Sequence, residues 1–247
     1  MRNHTSDVSL INLKSTERAK LSEKLILWDI DGTLLRAKRK RETPLHLEVA
    51  RNLGLKISVI PFESEGLTDS DIMEQLLSLN GKNLNPRTLK AALDELDELS
   101  SQSDEDTTFE IFPGVVEALE YMKSNSWDMG VLTGNTFKRA ISKMEKSKLE
   151  RFFDHRFFFT CNPGESRVKI AIRAHSILEN FGIRKATIIG DTPADIYVAR
   201  RVGYQTISVA TGRFSLNNLA VHKPDLIIEN LDSSLTRVAE FIKSQSN

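Results

Sequence analysis

The stretch Leu25-Ile26-Leu27-Trp28-Asp29-Ile30-Asp31-Gly32-Thr33-Leu34 constrains this chain most. Its apolar run is too short for a helix and reads as a buried strand. Asp29 and Asp31 fall where that strand runs out. Side chains two apart on an extended segment point to the same side, so the spacing predicts two carboxylates aimed at one point. Like charges so placed raise one pKa unless a cation sits between them. The pair therefore asks for a metal ion, a shared proton, or both. The plainer alternative is a strand-end turn, where Asp-Gly is common.

The rest of the chain says what kind of sheet this strand enters. From Pro113-Gly114 onward, apolar strand runs alternate with helical patterns. Strands are expected at Met129–Leu132, around Phe157–Phe159, and at 186–189, 205–209 and 226–228. Helices are expected at 115–122, about 136–147, 166–181, from Pro193 to Val202, and at the C-terminus. Such alternation implies a doubly wound, Rossmann-like α/β core with a parallel sheet. Ligands of these sheets bind beyond the carboxyl ends of the strands, where strand order reverses.

Residues 43 to about 104 differ. Pro44 opens a helix that Gly54 closes, Thr68-Asp69-Ser70-Asp71 is an N-cap cluster, and Asn85-Pro86 starts a helix with Leu89, Leu93, Leu96 and Leu99 on one face. The segment reads as an inserted α-helical cap, ending in the acidic, Ser-rich connection Ser100 to Asp106. The expected organisation is an N-terminal arm at 1–24, a core built from 25–36 and 111–247, and a cap at 37–110 lying over the strand ends. The basic run Arg36, Lys38, Arg39, Lys40, Arg41 reads as a solvated face or hinge, or as an attractor of an anionic substrate.

Three strand ends offer chemistry. Asp29, Asp31, Asp191 and Asp195 are expected to converge, and four carboxylates need a counter-ion; hard oxygen ligands select Mg²⁺. Thr133-Gly134-Asn135 offers a hydroxyl and backbone N–H groups at a helix N-terminus, which suits phosphate. Arg167 and Lys169 are the candidate cations for the remaining phosphate charge. A basic residue at a helix start is electrostatically unfavourable there, which marks Arg167 as present for another reason.

Composition removes other classes. With 34 basic and 34 acidic residues, the chain has no global attraction for nucleic acid or an acidic membrane. The lone Cys161 excludes an intramolecular disulfide and fits a reducing compartment. The start of the sequence is polar and no apolar run reaches the roughly 20 residues a span needs, so a soluble, cytoplasmic protein is expected. The five histidines lack metal-ligand spacing. There is no P-loop or dinucleotide glycine motif.

Taken together, these motifs resemble the haloacid dehalogenase-like (HAD) hydrolase superfamily. Its Asp-x-Asp-Gly-Thr motif matches Leu27 to Thr33, its Thr-ended strand matches Val131 to Asn135, and its Gly-Asp motif with a second Asp four residues on matches Ile189 to Asp195. Arg167, with Ile170 and Ala174 following, looks like the Arg found in phosphoglycolate-phosphatase-like members, and Lys169 is the other choice for that place. The resemblance covers roughly 25–230 and implies the helical cap type. It implies Asp29 as nucleophile forming an aspartyl-phosphate, Asp31 as general acid and base, and Thr133 and Arg167 gripping the phosphoryl group. It also implies Mg²⁺ held by Asp29, the backbone carbonyl of Asp31, and Asp191, with Asp195 in support. The expected activity is hydrolysis of a small phosphorylated metabolite, of phosphoglycolate or sugar-phosphate type. Gly134, Asn135 and the cap residues Thr68 and Asp69 are placed on the substrate, although Thr68 and Asp69 also fit a simple helix cap. A sugar phosphomutase of the same superfamily and an idle HAD-fold binding protein are the alternatives. The Asp at the cap position where such mutases usually carry an Arg argues against the first, and the intact Asp29, Asp31, Thr133 and Asp191 against the second.

Overall fold

The structure, a computed structural model, describes residues 25–39, 43–82, 85–102 and 107–244; the expected N-terminal arm lies outside them. Strand β1 (Leu25–Trp28) occupies the centre of a six-stranded sheet with β4 (Asp128–Thr136), β5 (Phe158–Cys161), β6 (Ala186–Gly190), β7 (Gln205–Val209) and β8 (Leu226–Ile228). The order is β5-β4-β1-β6-β7-β8, and every pairing is parallel. Chain order therefore reverses on either side of β1, which places the reversal beside Asp29.

The period-two alternation of a strand explains the two layers. Ile26, Trp28, Val131 and Ile189 face one apolar cluster, with Leu119 and Met122 of α4 (Val115–Ser124), Met144 of α5 (Phe137–Lys146) and Val238 of α9 (Leu235–Ser244). Leu25, Leu27, Leu132 and Ile188 face the other, with Ile170 and Ala174 of α6 (Arg167–Asn180) and Val198 of α7 (Pro193–Arg201). A short helix α8 (Leu216–Ala220) precedes β8.

Between β1 and α4 the chain leaves the sheet. Helices α1 (Leu45–Asn52), α2 (Asp69–Leu79) and α3 (Pro86–Gln102) pack around a separate apolar cluster that includes Leu47, Met73, Leu76, Leu93 and Leu96. A two-stranded antiparallel ribbon, β2 (Leu35–Arg39) with β3 (Thr107–Ile111), joins this helical unit to the sheet. The ribbon departs from the sequence reading, which assigned a basic run and no strand here. Its charges pair across the ribbon, Arg36 and Lys38 both meeting Glu110; Lys40 and Arg41 lie outside the described residues. No helix among the described residues is long and apolar enough to cross a membrane.

Candidate active site

Asp29 follows β1 directly, and its backbone N–H donates to Ile189 O of β6 at 2.9 Å. That ladder bond fixes its carboxylate at the strand reversal. On the neighbouring strand Gly190 is followed by Asp191, and Thr192 then caps α7. Asp195 sits in the first turn of α7, accepting from the Thr192 backbone N–H at 3.0 Å and hydroxyl at 2.7 Å. Asp29, Asp191 and Asp195 thus bring one carboxylate oxygen each within 4.8 Å of one another, all buried.

Arg167, the first residue of α6, enters this cluster. Its Nη2 donates to Asp29 Oδ1 and to Asp195 Oδ1, each at 2.6 Å. Asp191 has a weaker neutral partner, the Thr33 hydroxyl at 3.2 Å. Burial pushes Asp29 up to about 7; Arg167 opposes the rise, while Asp195 and Asp31 add to it. Burial, then Asp29 and Asp195, push Asp191 up to about 8. Three carboxylates against one guanidinium leave two negative charges uncompensated when all ionise. Hard oxygen donors in that balance fit a divalent cation.

Glycines make room for the cluster. A Cβ at Gly212 would lie 1.8 Å from Asp191 Oδ2, and one at Gly32, where φ is +86°, would lie 2.3 Å from it. Only hydrogen at these positions lets Asp191 occupy its place.

Asp31 does not join the cluster, contrary to the expected convergence of four carboxylates. The chain turns after Ile30, whose carbonyl accepts from Leu34 and Leu35 N–H groups at 2.9 and 3.1 Å. The strand rule that aligns i and i+2 therefore fails here. The Asp31 carboxylate meets Lys143 Nζ and accepts from Asn135 Nδ2 at 2.7 Å. Desolvation by the surrounding protein acts to raise the Asp31 pKa although its side chain is 45% exposed, but the charge and hydrogen bond of Lys143 and the bond from Asn135 outweigh it and hold the carboxyl below its ordinary range. Asn135 also donates to the Thr133 hydroxyl at 2.9 Å and accepts from Lys143 at 2.8 Å. β4 runs on through these residues to Thr136 rather than stopping at Leu132. At Gly134 the helical unit approaches the strand end closely: a Cβ there would lie 2.7 Å from Leu67 O.

Thr68 and Asp69 separate. The Thr68 side chain accepts from Asp71 N–H at 3.0 Å in a capping box, and its hydroxyl donates to Glu165 O at 2.9 Å. It caps α2 and ties it to the sheet, and it does not line the cavity. Asp69 does line it, held by the Thr136 backbone N–H at 2.9 Å, by Arg139, and by His46 Nε2 at 2.9 Å. Lys169 is not at the site: it is exposed, and its Nζ donates to Gly164 O at 2.7 Å. Two residues further along α6 than Arg167, it lies on a different face of the helix.

These groups surround one cavity of about 360 Å³, bounded by the strand ends on one side and by α1, α2 and the loop before α2 on the other. Lys143, Arg139 and His46 are on its wall and carry no motif. One signal for two of them was present: Arg139 and Lys143 are four apart on α5, on the same face as the buried Ala140 and Met144.

Residues 26–209 match the sequence profile of the haloacid dehalogenase-like hydrolases. The chain belongs to this family. A relative named "Probable phosphatase IndB", from Dickeya dadantii (strain 3937), is 25% identical over 90% of this chain and 96% of its own length. Phosphoglycolate phosphatase 1 of Pseudomonas aeruginosa is 23% identical over 54% of this chain and 49% of its own length. Among solved structures, a predicted phosphatase from Clostridium acetobutylicum superposes with a TM-score of 0.65 at 19% identity, covering 88% of this chain and 98% of that one. At such identity the likeness shows a shared fold alone.

Proposed function

We propose that this hydrolase is a Mg²⁺-dependent phosphatase of small phosphomonoesters, working through an aspartyl-phosphate. One observation carries the reading: Asp29 is buried at the strand reversal, bonded to Arg167, beside the Asp191 and Asp195 carboxylates and on the wall of the cavity between the strand ends and the helical unit. A carboxylate so fixed is a nucleophile with no freedom to wander. The names of the phosphatase relatives support the same class.

In this reading an Asp29 oxygen attacks phosphorus, and the bond from phosphorus to the leaving oxygen breaks. Asp31 protonates that oxygen, then takes a proton from the water that attacks the aspartyl-phosphate. Asp31 rests ionised between Lys143 and Asn135; the charge of an arriving phosphate disfavours that ionised form and loads the proton. Thr133 and the Arg167 N–H groups not spent on carboxylates hold the phosphoryl oxygens as charge spreads over them. Asp29, Asp191 and the backbone carbonyl of Asp31 would hold Mg²⁺, with Asp195 in support through its grip on Arg167 and Thr192. When bound, the cation neutralises charge between nucleophile and phosphate.

The test is phosphate release from a panel of esters, with Mg²⁺ and with EDTA, by the wild type and by Asp29→Asn. Release that requires both the metal and Asp29 is the expected result. Release surviving EDTA and the substitution overturns the mechanism, and conversion of a sugar 1-phosphate without release of phosphate would mean a mutase.

A further inference from the structure

The side of the cavity formed by the helical unit carries a pair, His46 and Asp69, to which the mechanism above gives no role. Both come from the helical unit and both are on the cavity wall. His46 Nε2 meets Asp69 Oδ1 at 2.9 Å. Burial lowers the His46 pKa, with Arg139 and Lys143 opposing its charge further, and it is held neutral against the pull of Asp69. Burial acts against the Asp69 carboxylate, but Arg139 and His46 prevail and keep it ionised. A neutral imidazole facing an ionised carboxylate must present an N–H to it, so the proton is on Nε2. Nδ1 is then a lone-pair acceptor, and it makes no hydrogen bond among the described residues.

The cations near this pair already have carboxylate partners. Arg139 is spent on Asp69, Lys143 on Asp31, and Arg213 on Glu63 and Glu65. In the resting site each of these cations already meets a carboxylate, and the ionised Asp69 beside His46 opposes a second anion on the substrate.

We propose that His46, anchored by Asp69, is a specificity-determining residue that accepts a hydroxyl hydrogen from the organic half of the substrate. The substrate is then a phosphomonoester whose organic half carries hydroxyls and no charge, of polyol or sugar class, and not a phosphorylated carboxylate or a bisphosphate. The inference rests on the phosphatase reading above and narrows it.

The experiment compares kcat/KM for glycerol 3-phosphate and a hexose 6-phosphate with that for propyl phosphate and phosphoglycolate, using p-nitrophenyl phosphate as a generic ester. The wild type is expected to favour the hydroxylated esters over propyl phosphate by about tenfold, the scale of one hydrogen bond. It should disfavour phosphoglycolate further. In His46→Phe the ratio between hydroxylated esters and propyl phosphate should fall toward one, whatever happens to the absolute rate. Equal use of propyl phosphate and the hydroxylated esters by the wild type, or a preference for phosphoglycolate, overturns the proposal, and neither outcome depends on the variant folding. An unchanged ratio in His46→Phe also overturns it. If p-nitrophenyl phosphate is hydrolysed with Mg²⁺ while these preferences are absent, the phosphatase reading stands and this one falls. If no ester is hydrolysed, both fall.

Discussion

Gly212 carries no reactive group, yet Asp191 depends on it. Its φ is not in the left-handed range, so a substitution there acts through contact alone. In Gly212→Ala the new methyl meets Asp191 Oδ2 and displaces the carboxylate. The expected result is a rise of about 10- to 100-fold in the Mg²⁺ concentration that half-saturates activity, as when a metal ligand loses its support. A Mg²⁺ titration of phosphate release checks it; an unchanged midpoint would mean that Asp191 does not hold the metal. The positions of Asp29 and Asp191 were legible in sequence because each directly follows an apolar strand run, and strand ends are local facts. Their partners were not. Lys143 lies 112 residues from Asp31, and Arg139 lies 70 from Asp69. A basic residue on a helix reads as solvated until the carboxylate opposite is known. His46 failed for the same reason, since a lone histidine has no spacing to read.

At the scale of elements, the N-terminus of α5 has a cap from another part of the chain. Thr136 begins that helix without a side-chain cap of its own. Instead the Asp69 carboxylate, on the first residue of α2, accepts its backbone N–H and pairs with Arg139 one turn on. Asp97 of α3 accepts the Thr136 hydroxyl. Docking of the helical unit thereby satisfies the helix that follows the Thr133-Gly134-Asn135 segment. Removing either member of the buried Asp69–Arg139 pair leaves the other without its partner and is expected to cost about 3–5 kcal/mol. Asp69→Ala and Arg139→Met should each show that loss in urea unfolding. The double variant should lose clearly less than the sum; additive losses would mean that the pair is not coupled. Elements with a plain period were legible, among them α3 with its leucines and β7 with its alternation. The β2–β3 ribbon was not, because Leu35 and Ala37 alternate with Arg36 and Lys38, and the charge run hid the period of two. Strands of that kind are recognised by their partner, here Glu110 opposite Arg36.

The whole molecule carries the cost of its site through the sheet. Asp29 and Asp191 both ionise in the unfolded chain near 3.8, but in the folded, metal-free protein near 7 and near 8. Between those limits the folded state holds protons that the unfolded state has released. The stability they contribute is fully present below the unfolded value and is lost as pH rises through the folded values. Asp69 works in the opposite sense: its lowered pKa stabilises the fold above the unfolded value, so its contribution is constant over the range where the site titrates. The metal-free thermal midpoint, measured in EDTA, should therefore fall from about pH 5 to about pH 9. In the proposed site Mg²⁺ would displace those protons, so it should raise the midpoint little at the acidic end and most at the alkaline end. Asp191→Asn separates this account from general alkaline destabilisation. It removes one of the uncompensated charges, so in EDTA the variant should be more stable than the wild type at alkaline pH, and Mg²⁺ should stabilise it less. A wild-type midpoint that is flat or rising in EDTA, or a Mg²⁺ gain equal at both ends, would show that the buried carboxylates at the strand reversal are not where the metal binds.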